Sequence, residues 1–91
     1  TTALEPLVDV IETSEMVLVT VELPGVEREQ IKLEVSSRDV YIETNGDKKY
    51  QKTVELPIDV TEDNVESSFK NGVLSIKLRK NKTARKAVQV R

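Results

Sequence analysis

The side chains best suited to chemistry are three acids, Asp59, Glu62 and Asp63, and two hydroxyls, Ser67 and Ser68. Paired carboxylates at such short separation are raw material for acid–base work or a cation site. Their spacing fits no calcium loop, and they follow Pro57 in a polar stretch whose plainer reading is a solvated turn. Ser67 and Ser68 have no base to activate them, because the chain contains no His and no Cys. That absence also removes thiolate nucleophiles, disulfides and the usual zinc ligands. Gly25, Gly46 and Gly72 stand apart from one another, so nothing resembles a phosphate-cradling loop. No enzyme emerges, and no cofactor or metal is expected.

The elements that would position any site are strands. The 91 residues are 37% hydrophobic and 33% charged, which suits one domain burying roughly 60–65% of its extended surface. Nineteen Val and Ile against eight Leu favour a pleated, half-buried surface. Apolar residues alternate with polar ones in Leu7 to Ile11, Val17 to Leu23, Ile31 to Val35, Val40–Ile42, Val54 to Ile58, Val65 to Phe69 and Leu74 to Leu78. Turn residues separate these runs at Thr13-Ser14-Glu15, Pro24-Gly25, Ser37-Arg38-Asp39, Asn45-Gly46 and Asn71-Gly72. Only Glu27 to Gln30 suggests a helical turn. The pattern predicts an all-β fold, an antiparallel immunoglobulin-like β-sandwich of about seven strands.

The Asn45-Gly46 hairpin forces a choice of register. A two-residue turn would pair Tyr41 with Tyr50 and Glu43 with Lys48, but would turn Val54 and Leu56 away from the Val40–Ile42 face. A three-residue loop with a bulge puts Ile42 opposite Tyr50 and keeps Tyr50, Val54 and Leu56 inward. A slip of one residue flips a whole face, so burial decides for the bulged loop.

Charge is unevenly spread around a net of −2. Up to Asp47 there are eleven acids against Arg28, Lys32 and Arg38, whereas Lys77 to Arg91 holds seven bases and no acid. Such a stretch could contact nucleic-acid phosphates, or it could be a solubilising tail and a basic strand paired with acidic ones. Tyr41, Tyr50 and Phe69 are the only aromatic residues, thin material for base stacking, so no nucleic-acid partner is expected. No apolar run approaches the length of a membrane span and no signal-peptide pattern opens the chain. A cytoplasmic location is expected. The first residue is Thr1 rather than Met, which leaves room for a preceding N-terminal segment.

Three fragments then fall in a telling order: Glu22-Leu23-Pro24-Gly25-Val26, Tyr50 to Pro57, and Phe69-Lys70-Asn71-Gly72-Val73-Leu74. Each has a local reason, since Pro24 fixes φ and both Gly25 and Gly72 permit a turn. In combination the stretch Pro6 to Lys80 resembles the α-crystallin domain of small heat-shock proteins, the family also called Hsp20. The resemblance implies residues 1–80 as the domain and residues 81–91 as a basic extension. It implies a groove between the strand of Leu33 and Val35 and the strand of Val65, Ser67 and Phe69. It also implies that Val88-Gln89-Val90, similar to the family's Ile-x-Ile motif, docks into such a groove on a neighbouring domain, in competition with the reading of a short final strand.

Three positions depart from the family pattern. Ser67 stands where a small Ala is usual, and Lys52 where Arg is common, and Lys lacks the bidentate fork of Arg. The long loop that many members exchange between subunits has only Asn45 to Lys48 to match it. A dimer is therefore expected to pair edge to edge at Lys49, Tyr50, Gln51 and Lys52, unless Lys48, Lys49 and Lys52 guard that edge. The function implied is an ATP-independent holdase of the stress response, binding partly unfolded client proteins and self-associating into a dimer or larger exchangeable oligomers. A CS-type co-chaperone domain, which binds a large ATP-driven chaperone, shares the sandwich and better matches the short loop. A generic adhesion sandwich is the remaining rival.

Overall fold

The β-branched alternation lays down seven strands: β1 Leu7–Glu12, β2 Met16–Glu22, β3 Ile31–Val35, β4 Asp39–Thr44, β5 Gln51–Glu55, β6 Glu66–Lys70 and β7 Val73–Arg79. The computed structural model describes residues 4–81 and 88–90. All strand pairs are antiparallel, in a four-stranded sheet of order β1-β2-β7-β6 and a three-stranded sheet of order β3-β4-β5. One 3₁₀ turn, Arg28–Gln30, leads into β3, with Glu27 and Gln30 capping each other.

Inward positions make the core. Val17, Val19, Val21 and Leu23 from β2 and its exit are fully buried, as are Val40 and Ile42 from β4 and Leu78 from β7. The inner face of the larger sheet is completed by Leu74 and Ile76. Cross-strand pairs Val19↔Ile76 and Val21↔Leu74 join its two central strands on that face. Outward positions are mostly polar and each sheet keeps one wet face, although Leu7 and Ile11 of β1 are exposed on the outer face of the larger sheet.

The turns follow the chemistry of their residues. Asn71 and Gly72 both hold positive φ, 52° and 76°, and close a two-residue hairpin between Lys70 and Val73; that backbone matches the strand twist. Between β3 and β4 the Ser36 hydroxyl donates to Asp39 Oδ1 at 2.8 Å and accepts the Asp39 N–H at 3.1 Å.

The β4–β5 hairpin corrects the expected register. Ile42 lies opposite Lys52, not Tyr50, and Val40 opposite Val54. The loop spans the five residues 45–49, since Thr44 N–H donates to Tyr50 O. Two causes act together. Asn45 N–H donates to Gln30 O at 3.0 Å, which ties it to the 3₁₀ turn rather than to a tight hairpin. The Thr44 hydroxyl accepts the Tyr50 N–H at 2.9 Å and donates to Lys48 O at 3.0 Å, holding the longer loop shut. The shift is by two residues, so the faces are preserved, and Tyr50, Val54 and Leu56 are buried as expected.

β5 ends at Glu55, leaving Ile58 packed against the core outside the strand, and β6 begins at Glu66, one residue after Val65. Beyond β7 the chain stays attached: Val60 bridges Lys80, and Asn81 N–H donates to Asp59 O at 2.9 Å. Of the expected basic extension, residues 82–87 and 91 lie outside the described residues.

Candidate functional site

Two sheets of unequal width leave edges that face each other. β6 and β3 are edge strands of the two sheets, and between them opens a cleft of about 430 Å³ lined by Arg28, Ile31, Leu33, Ser67, Phe69 and Leu74 among others. Its apolar wall comes from the inner faces of both strands. Phe69 lies opposite Leu74 and Ser67 opposite Ile76, so both point the way the core points, yet Ser67 is exposed. A small side chain at that position keeps the mouth of the cleft open.

The β6 edge also offers main-chain groups. Arg28 Nη2 donates to Phe69 O at 3.2 Å, so Phe69 turns its backbone outward, and antiparallel alternation turns Ser67 the same way. With Phe69 O taken by Arg28, the outward backbone groups of Ser67 are those that an extended segment laid along the apolar pockets would meet, the combination that strand addition requires.

The structure brings Leu33, Ser67 and Phe69 into this cleft but not the other two expected groove residues. Val35 and Val65 pack against the core as partly buried residues and do not line it. Four lining residues, Arg28, Ile31, Ser68 and Leu74, lie outside the expected groove set. Ile31 and Leu74 carry the same period-two signal as their neighbours and were legible only as core. Arg28 gave no signal beyond being one of few bases in an acidic half of the chain.

The second expected surface, Lys49 to Lys52, is already paired. Leu4 bridges Tyr50 in parallel: Leu4 N–H donates to Lys49 O at 2.7 Å, and Gln51 N–H donates to Leu4 O at 3.0 Å. Lys52 Nζ sits 3.1 Å from Glu5 Oε1. Tyr50 is buried with its hydroxyl donating to Pro24 O at 3.3 Å, a tie between the two sheets.

Of the three acids, Asp59 has a structural partner, its Oδ1 lying 2.9 Å from Arg38 Nε, while the backbone carbonyl of Asp63 accepts from the Thr61 hydroxyl in an exposed turn. Among the described residues no three acids converge as metal ligands would. The basic C-terminal strand is partly matched within the domain, with Lys77 opposite Glu66 and Lys80 Nζ 2.6 Å from Glu12 Oε2. Val88 and Val90 stand 80% and 92% exposed. No helix of the described residues is long and apolar enough to cross a membrane.

Comparison with known proteins follows the same outline. The family model for the GerT C-terminal domain matches residues 10–78. A probable 15 kDa heat shock protein of Leptospira interrogans is 28% identical over 103 residues, covering 97% of this chain and 79% of the relative. Small heat shock protein C4 of Rickettsia felis is 32% identical over 94 residues, covering 85% of this chain and 58% of the relative. The structure of heat shock protein 16.0 from Schizosaccharomyces pombe superposes with a TM-score of 0.80 at 24% identity, over 98% of this chain and 77% of the other.

The chain belongs to the GerT C-terminal domain family, and its fold is the β-sandwich of the α-crystallin domain, the fold it shares with small heat-shock proteins. Small heat-shock proteins are non-enzymatic chaperones. In this domain the cleft opens between β3 and β6, and the β4–β5 connection is the short loop of residues 45–49.

Proposed function

We propose that this α-crystallin domain is an ATP-independent holdase, taking up extended apolar segments of partly unfolded proteins in the cleft between β3 and β6. The observation that carries this reading is the cleft itself. Its wall of Ile31, Leu33, Phe69 and Leu74 is apolar, and the β6 edge beside it turns the Ser67 backbone outward. The same surface suits Val88-Gln89-Val90 of a second copy, whose two valines alternate as a strand's side chains do and are exposed in their own chain.

Magnitudes set the character of that contact. Burying two Val side chains gives roughly 3–5 kcal/mol, while ordering three residues costs about 1–2 kcal/mol of backbone entropy each. One tail holds weakly, so assembly needs several links at once and the subunits exchange.

The test is turbidity of a thermally unfolding client enzyme, without nucleotide, in the presence of the chain or of its Ser67→Arg variant. Ser67 is exposed at the mouth of the cleft, so a long cation there obstructs it without disturbing the core. Suppression by the native chain and its loss in the variant is the expected result. Equal suppression by both would remove the cleft from the account.

A further inference from the structure

The β5 edge binds something in this structure, and what it binds is this chain's own Leu4–Glu5. Thr44 N–H donates to Tyr50 O and Leu56 N–H to Arg38 O, so the even positions of β5 face β4. The odd positions Gln51, Thr53 and Glu55 turn their backbone groups outward. Leu4 satisfies Lys49 O and Gln51 N–H, and Glu5 reaches Lys52. Pro6 is buried and carries the chain across to β1 in the other sheet. Thr53 and Glu55 continue the same edge beyond the reach of the Leu4 bridge.

We propose that this edge is a second strand-addition site, specific for an extended client segment in which an apolar residue precedes a carboxylate, and that Leu4–Glu5 is its built-in, displaceable occupant. The inference rests on the holdase reading and adds a site to it. Three features support displacement. Leu4 is 49% exposed, so its side chain contributes little burial. The main-chain bonds at 2.7 and 3.0 Å are those any peptide can make. The Glu5–Lys52 pair is largely solvated on the Glu side, and such pairs select a partner's charge more than they hold it. Lys49 adds positive charge at the end of the edge that Leu4–Glu5 occupies, with Glu55 at the far end, matching an acidic segment at the Lys52 end. The same occupancy explains how a cationic edge avoids pairing with another copy of itself.

The experiment compares the full chain with a Leu4→Pro, Glu5→Lys variant, which removes the N–H bonded to Lys49 O and reverses the charge facing Lys52. Amide hydrogen exchange at Gln51 is expected to quicken about tenfold in the variant, the scale of one lost hydrogen bond, while Val19 and Ile76 in the core stay unchanged. A peptide of residues 1–7 added to the variant then restores protection at Gln51 and shifts the Gln51 and Thr53 amide resonances. The same peptide with Lys in place of its Glu does not. A further Lys52→Glu substitution inverts that preference. Unchanged exchange at Gln51, equal binding of both peptides, or peptide shifts confined to Ser67 and Phe69 would each overturn the proposal. Loss of client protection with peptide binding intact would instead count against the holdase reading alone.

Discussion

Thr44 does more for the hairpin than its place at a strand end suggests. It is the only buried polar residue among the described residues, and its hydroxyl serves both Tyr50 N–H and Lys48 O. Thr44→Val keeps the shape but leaves both groups without that partner, so chemical denaturation is expected to show a loss of about 1–3 kcal/mol. Thr44→Ser should restore most of it. Asn71 makes a second case. Its φ of 52° is open to Asn and Gly but strained for a β-branched side chain, so Asn71→Val is expected to cost about 1–2 kcal/mol in the same measurement, whereas Asn71→Gly should be near neutral. The Asn71-Gly72 turn was legible because two adjacent positive-φ formers admit few alternatives. The Asn45-Gly46 pair misled because Asn45 is claimed by Gln30 O, a contact between distant parts of the chain that no local pattern records.

At the scale of elements, burial follows position in the sheet. β2 lies between β1 and β7, and its inner side chains are fully buried, whereas β1 is an edge whose inner residues Val8 and Val10 stay partly exposed. Val19→Ala is therefore expected to cost about 2–3 kcal/mol, from two lost carbons and the cavity they leave. Val8→Ala should cost less than about 1 kcal/mol by the same measure. Equal losses would mean that the two sheets do not pack as described. The period-two runs showed the strands and their inward faces because side-chain alternation is a property of each strand alone. Which strands form edges is a property of the whole sandwich, and that is why Val35 and Val65 were expected in the cleft while Ile31 and Leu74 line it. The pairing of Leu4 with Tyr50 was hidden for the same reason, since a single bridge has no period.

The molecule as a whole presents two sides. On one, Leu4–Pro6 crosses from the β5 edge to β1; on the other, β3 and β6 stand apart around an apolar cleft. The uneven charge of the sequence is partly reconciled by the fold, which sets Lys77 against Glu66 and Lys80 against Glu12. The valines near the C-terminus remain exposed. If the open cleft and the exposed valines are two halves of one contact, assembly requires both. The most direct measurement is solution mass by light scattering for the native chain, for Val88→Asp with Val90→Asp, and for Ser67→Arg. Assemblies larger than a dimer that shrink equally with either change are the predicted result. A mass indifferent to both changes, or sensitive to only one of them, would contradict it.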